Sequence, residues 1–449
     1  MTSHRNGASV MSQDGDNVMP RADNGLMVSD FSASFAEEWP RVVGATLRAF
    51  GSIDLAEESA QEAFVRAAER IAAGERIDNV GAWATTVARR IAIDSLRHDA
   101  VVRSTLPALA DERGAAERIN DEDRREQEDR QADVAAGAND PDTDDRLGLI
   151  FIACDPVLSA EQQIALALRI VCGVPTADIA DFFGAQEATV AARLTRARKA
   201  ISHSGREFRW PDRADRERRR DQVLTTIYGV YTLGHTAPAG SDLIDARLAG
   251  LAQTLARAVA SEYPDDTEIL GLLALIVLHE GRSPARTTPD GMPLSLAEVD
   301  RSAWGKRRIM EGLDLAARAL PGGGRFALQA GIAGLHSSAP RWQDTDWAAI
   351  ATLYHGLKRV WPAPVVMLGS IVAESHRGPS QLERAADELS RLRDGALPEF
   401  RRRVSAALAD VEARRGRPED ARAALADAMD GERNAALLRY YERAATRLP

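Results

Sequence analysis

Residues 147–202 read LGLIFIACDPVLSAEQQIALALRIVCGVPTADIADFFGAQEATVAARLTRARKAIS, and the fold class turns on their second half. Ser159, three residues before Gln162, is a capping-box start, and Ile164, Leu168 and Val171 then share one helical face. Gly173 and Pro175 end that helix. A short helix with Ile179 and Phe182 turned inward follows, Gly184 makes a tight turn, and a third helix begins near Glu187. On this third helix Val190, Leu194, Ala197 and Ile201 cluster on one side. Ala188, Ala192, Thr195, Arg196 and Lys199 lie opposite, with Thr189 and Arg193 on the flank. One packed face and one small, basic face suit the DNA major groove, where cations neutralise phosphates and short side chains let a helix approach base edges. Three helices of a larger bundle with a solvated basic face would show the same pattern. The order of the segments around it decides between the two.

Composition points to an all-α protein. The chain has 449 residues, 45% hydrophobic but only 5% aromatic, with Ala, Leu and Arg abundant and no run of alternating β-branched residues long enough for a strand. The length allows two to four domains. A net charge of −10 argues against a nucleic-acid binder taken globally, but it is unevenly spread. Residues 111–146 hold 14 acids and 6 bases, net −8, whereas residues 187–220 hold 11 bases and 5 acids, net +6. The basic patch coincides with the third helix. Cys154 and Cys172 sit in apolar surroundings and read as reduced core thiols of a cytoplasmic protein. The longest apolar run, Ile269 to Leu278, is too short to span a bilayer and reads as a core helix. Residues 1–30 are polar and read as disordered, with Met27 a possible true start.

From residue 31 to about 103 the pattern is a compact helical domain. DLAEESAQEAFVRAAERI, Asp54 to Ile71, is strongly amphipathic, with Ala60, Phe64 and Ala67 inward and acids in its first turn. After a polar loop comes GAWATTVARRIAIDSLRHDA, where Trp83, Val87 and Ile91 line one side and Thr86, Arg89, Arg90, Ile93 and Arg97 face away. Asp94, four residues from Arg90, reads as that residue's ion-pair partner.

These blocks, in this order and joined by an acidic linker, resemble a bacterial RNA polymerase sigma factor of the extracytoplasmic-function type. The likeness covers residues 31–103 (region 2) and 144–204 (region 4), with 104–143 as the linker between them. The resemblance implies a partner, the RNA polymerase core, and a second ligand, promoter DNA. It implies that Glu58, Gln61, Glu62 and Phe64 dock on the clamp of the largest subunit. It implies that Thr86, Arg89, Arg90 and Arg97 act at the −10 element, and that Glu187, Thr189, Ala192, Arg193, Arg196 and Lys199 read the −35 element. No cofactor, metal, membrane contact or catalytic activity is implied.

Beyond a basic connector at 205–220, residues 221–449 resemble the subgroup with a long, tetratricopeptide-like C-terminal extension, whose groove would suit a protein or peptide. RGPSQLERAA at 377–386 echoes RGRPEDARAA at 415–424, an offset of 38 residues, with small pairs Ala385/Ala386 and Ala423/Ala424 placed for close helix packing. The chain departs from the subgroup at Ala153-Cys154-Asp155-Pro156, where a Cys-Cys-His-Pro run is usual, at Thr232-Leu233-Gly234-His235, and at Ala192, where the reading face is commonly polar. None of the eight His lies at metal-ligand spacing, and no HExxH, phosphate-binding glycine loop or nucleophile elbow is present. Two other classes fit parts of the chain: a one-component helix-turn-helix regulator with a helical sensor domain, and a tetratricopeptide-type scaffold. The regulator has no use for the block from Asp54 to Arg97.

Overall fold

The structure, a computed structural model, describes residues 24–110, 145–183, 185–203, 212–236 and 243–449. The described residues form 18 α-helices and no strand. Region 2 is a three-helix unit: α1 (Asn24–Phe50), α2 (Ile53–Ala72) and α3 (Val80–Ala110). Ser52 caps α2, its hydroxyl accepting from the Leu55 N–H at 3.3 Å, with Asp54 in the first turn. Ala56, Ala60, Ala63 and Ala67 recur at three- and four-residue steps on the buried face of α2, and Ala84, Ala88 and Ala92 do so on α3. These short side chains let the helices approach closely, so the centre of α3 is this alanine row. Trp83, Val87 and Ile91, expected there, sit half-buried at its margin. Phe35, Trp39 and Phe64 fill the space at one end, with ring centroids 4.9–6.0 Å apart.

Two boundaries differ from the reading of the sequence. Helix α1 begins at Asn24, inside the stretch expected to be disordered, and α3 runs on to Ala110, inside the expected linker. Residues 1–23 and 111–144, and with them Met1 and most of the acidic run, lie outside the described residues.

Region 4 consists of α4 (Asp145–Ala153), α5 (Ala160–Ile170), α6 (Thr176–Phe183) and α7 (Glu187–His203). Both halves of the Ser159–Gln162 capping box are made. Gly173 follows α5 at φ +64, a left-handed conformation that favours glycine. A Cβ there would also stand 3.0 Å from the Trp39 ring of region 2.

The extension starts with α8 (Arg213–His235), α9 (Ala246–Glu262) and α10 (Thr267–Arg282), then α11 (Lys306–Ala319) and α12 (Arg325–Ser338). Every residue from Ile269 to Leu278 is buried because α11 and α12 close over α10. Six more helices follow: α13 (Trp347–Val360), α14 (Pro364–Ser375), α15 (Pro379–Asp394), α16 (Pro398–Arg414), α17 (Pro418–Met429) and α18 (Ala435–Arg447). The Arg-Gly echo aligns at 38 residues, but each echo helix starts at its proline, Pro379 or Pro418, so the helical register is 39. Ala385 therefore corresponds to Ala424, both buried, whereas Ala423 is exposed. One continuous apolar core runs from Trp39 through region 4 to Ala333, and the later helices have separate cores around Ile350 and Leu389. No described helix is long and apolar enough to cross a membrane.

Candidate nucleic-acid interface

Helix α7 has the two faces its sequence implies. Val190, Leu194, Ala197 and Ile201 are buried, while Glu187, Ala188, Thr189, Ala192, Thr195, Arg196 and Lys199 are exposed. The exposed face is free of bulk, as a groove-reading helix requires. Arg193 is placed differently: its guanidinium pairs with Glu161 at 2.9 Å and lies 4.8 Å over the Phe183 ring, which ties it to the scaffold. On α3, Thr86, Arg90 and Arg97 are exposed and Arg89 is half-buried. Asp94 pairs with Arg97 at 3.7 Å, not with Arg90. Both side chains are mostly exposed, so this pair contributes little stability.

On α2, Glu58, Gln61 and Glu62 project outward, and Glu62 pairs with Arg66 at 2.9 Å. Phe64 does not join them. It is only 3% exposed and packs on Phe35 and Trp39, so it supports the helix from within and cannot touch a partner in this conformation.

The sequence reading missed the residues that join the two regions. Glu57 is buried, and one of its carboxylate oxygens accepts from Arg169 Nε at 2.5 Å. The other accepts from Arg198 on α7, whose Nε also lies 3.2 Å from Asp54. Arg169 further donates to the Val174 carbonyl at 3.1 Å. Beside this network the Trp39 indole N–H donates to the Ile170 carbonyl at 3.1 Å, and Arg146 donates to the Glu37 carbonyl at 2.8 Å. A signal for Glu57 existed: it is the one acid on the same helical face as Ala56, Ala60 and Phe64, where a charge needs a partner. The identity of that partner, 112 residues away in Arg169, has no local trace.

Region 4 is joined as firmly to the extension. Arg219, from the connector, is buried; it pairs with Asp155 at 3.0 Å and donates to the Phe151 carbonyl at 3.0 Å. Cys154 bonds Thr226 of α8 at 3.2 Å, and Gly229 leaves room for Ile164. Burial pushes the thiols of Cys154 and Cys172 up to about 12. The connector is thus not a free tether: from Arg213 onward it is the first turns of α8.

Comparison with known proteins agrees with this division. Residues 35–101 match the model of Sigma-70 region 2, residues 153–201 that of Sigma-70, region 4, and residues 219–320 a family of unknown function, DUF6596. The chain is similar to Uncharacterized protein R00370 of Rhizobium meliloti (strain 1021), 39% identical over 345 residues that cover 76% of this chain and 78% of the relative. No solved structure matches. The chain belongs to the family of that Rhizobium meliloti protein, and its two N-terminal units are the region 2 and region 4 domains of a sigma-70 factor, the kind of subunit that takes RNA polymerase to promoters.

Proposed function

We propose that this chain is a sigma factor of the extracytoplasmic-function type, held at rest with regions 2 and 4 closed on each other, and that its tetratricopeptide-like extension governs their opening. The observation that carries the reading is the network at Glu57. The −10 and −35 elements lie roughly 25 base pairs apart, about 85 Å at 3.4 Å per base pair. Here the two DNA-facing helices, α3 and α7, are separated by α2, which is about 30 Å long at 1.5 Å per residue. Both elements cannot be engaged at once in this arrangement. Binding core polymerase through Glu58, Gln61 and Glu62 would supply the free energy to break the interface. Region 4 and the extension would then move together, because Arg219 and Cys154 join them.

In the open form, residues 31–103 bind core and act at −10 through Thr86, Arg89, Arg90 and Arg97, and residues 144–204 contact −35 through α7, all in the cytoplasm. Region 2 is what separates this reading from a one-component regulator, which would act without core. Run-off transcription with purified core and genomic fragments tests it: promoter-dependent transcripts are expected from the full chain. A folded protein that yields none from any fragment overturns the proposal.

The exposed cations of α7 give a second test. Arg196→Ala and Lys199→Ala should each weaken binding of −35 duplex and lower the slope of log affinity against log salt by about 1, as loss of a phosphate contact does. Arg193→Ala should instead cost stability, since its partners are Glu161 and Phe183. Equal salt slopes for wild type and both exposed variants would place the DNA contact elsewhere.

A further inference from the structure

The extension holds a cluster of cations, buried at Arg282 and Arg286 and half-buried at Arg301, that the nearby carboxylates Glu280 and Asp344 balance only in part. It forms where α8 and α10 end, beside the segment leading into α11 and the end of α12. Tyr231 leans on His235 with ring centroids 5.2 Å apart, and His235 stacks on His279 with centroids 4.9 Å apart. The Tyr231 hydroxyl lies 3.1 Å from a Glu280 oxygen and 2.8 Å from His235 Nδ1. Arg286 donates to the His235 carbonyl at 2.6 Å, and Arg301 donates to the His336 carbonyl at 2.9 Å with its guanidinium 4.9 Å over the Trp304 ring. A backbone bond of 2.8 Å from Gly305 to Gly281 joins the segment carrying Trp304 to the end of α10, which carries Arg282.

Three guanidinium groups, Arg282, Arg286 and Arg301, therefore meet one carboxylate within the cluster, Glu280, which the Tyr231 hydroxyl contacts, and at its edge Asp344, which is already paired with Arg341. Among the described residues none of the three makes an ion pair with an acid. Five buried nitrogens in this one cluster lack any hydrogen-bond partner: Arg282 Nη1, Arg301 Nη2, Trp304 Nε1, His279 Nδ1 and His336 Nδ1. Trp304 is only 7% exposed. The charge is felt locally. Burial, with Arg286 and Arg301 adding to it, lowers Arg282 to about 10, and burial together with Arg282 and Arg301 lowers His336 to about 3. The histidines are thus neutral near pH 7, and with Asp344 neutralised by Arg341 the cluster carries three positive charges against the one negative charge of Glu280. Buried charge without a counter-charge is strongly disfavoured, and unmet buried donors add to the cost.

We propose that this cluster is a binding site for a phosphate group, held between Arg282 and Arg301 with the Trp304 N–H as a further donor. A phosphate brings close to two negative charges, the number needed for balance, and several acceptor oxygens for the unmet donors. Its ligands come from the end of α10 and from the segment leading into α11, which Arg301 bonds to the end of α12 at the His336 carbonyl, so an occupied site ties together the helices on which α8, and through it region 4, rests. The proposal concerns the extension alone and stands whether or not the chain initiates transcription.

The test uses the full chain in Tris chloride, with inorganic phosphate and glycerol 3-phosphate as probes and sodium chloride at matched ionic strength as control. Calorimetric titration should give a sub-millimolar Kd for at least one probe. At a hundredfold excess over that Kd the thermal midpoint should rise by roughly a few degrees. Arg282→Met should weaken binding at least tenfold without lowering the unliganded midpoint, because it removes an unbalanced charge. Trp304→Phe, which keeps the ring and deletes only the donor, should weaken binding several-fold and serves if Arg282→Met does not fold. Tighter binding of glycerol 3-phosphate points to a phosphorylated metabolite and tighter binding of inorganic phosphate to the free ion; either supports the site. No heat and no midpoint shift beyond the chloride control with both probes overturns the proposal, as does unchanged binding by Trp304→Phe and the Arg282→Met/Arg301→Met double variant.

Discussion

Glu57→Ala is expected to release region 2 from region 4. The substitution strips Arg169 and Arg198 of a shared buried carboxylate, and removing one partner of such a pair costs about 3–5 kcal/mol. What remains of the interface is the Arg198–Asp54 ion pair, the Trp39–Ile170 bond, the Arg146–Glu37 bond and packing around Phe35 and Gly173. Small-angle scattering should show a larger radius of gyration for the variant with helical content retained. Its affinity for core polymerase should rise, since the work of opening has already been done. Glu58→Ala, one residue along but on the exposed side, should leave the radius unchanged and weaken core binding instead. A Glu57 variant as compact as wild type would mean that apolar packing alone holds the regions together.

The second large effect is expected at Gly271, where α10 crosses α12. A Cβ at this position would stand 2.5 Å from the Ala327 nitrogen and 2.7 Å from the Phe326 carbonyl carbon. Both are backbone atoms, so no side chain can swing aside. Gly271→Val should therefore destabilise the extension by about 3 kcal/mol or more, at the upper end of what overpacking costs. Urea unfolding followed by circular dichroism reads this directly. Gly250 in α9 is the control, because it is exposed with nothing within 4 Å of its would-be Cβ. Gly250→Ala should stabilise by up to about 1 kcal/mol through helix propensity. If Gly271→Val unfolds at the wild-type midpoint, the close crossing of α10 and α12 is wrong.

Helical periodicity carried most of the fold. The Ser159 capping box, the buried and exposed faces of α7, and the wholly apolar core helix at 269–278 could each be read from residues no more than a dozen apart. The errors share a physical origin. In α3 the large apolar residues drew attention from the alanines between them, although close helix packing favours the smallest side chains at the centre. The Arg-Gly echo aligned the loops but not the helices, because one extra residue before Pro418 shifts the register by one. Arg193 and Phe64 carry the right chemistry for surface contacts, yet tertiary neighbours claim both. The joint between regions 2 and 4 was least legible. It depends on Glu57 meeting Arg169 and Arg198 across more than a hundred residues; helical phase puts Arg198 at the margin of the buried face of α7, away from the exposed Arg196 and Lys199, but gives no sign of its partner.

The central claim is that the two regions are closed in the free chain and open on polymerase. A pair of dyes on cysteines introduced at Glu69 of α2 and Asp181 of α6, both exposed, reads it by energy transfer. Native Cys154 and Cys172 are buried with raised thiol values and should label poorly. Transfer should be high in the free protein and fall when core polymerase and a promoter duplex are added, with run-off product from the same sample. Undiminished transfer in a complex that makes transcript, or low transfer in the free chain, would contradict the account.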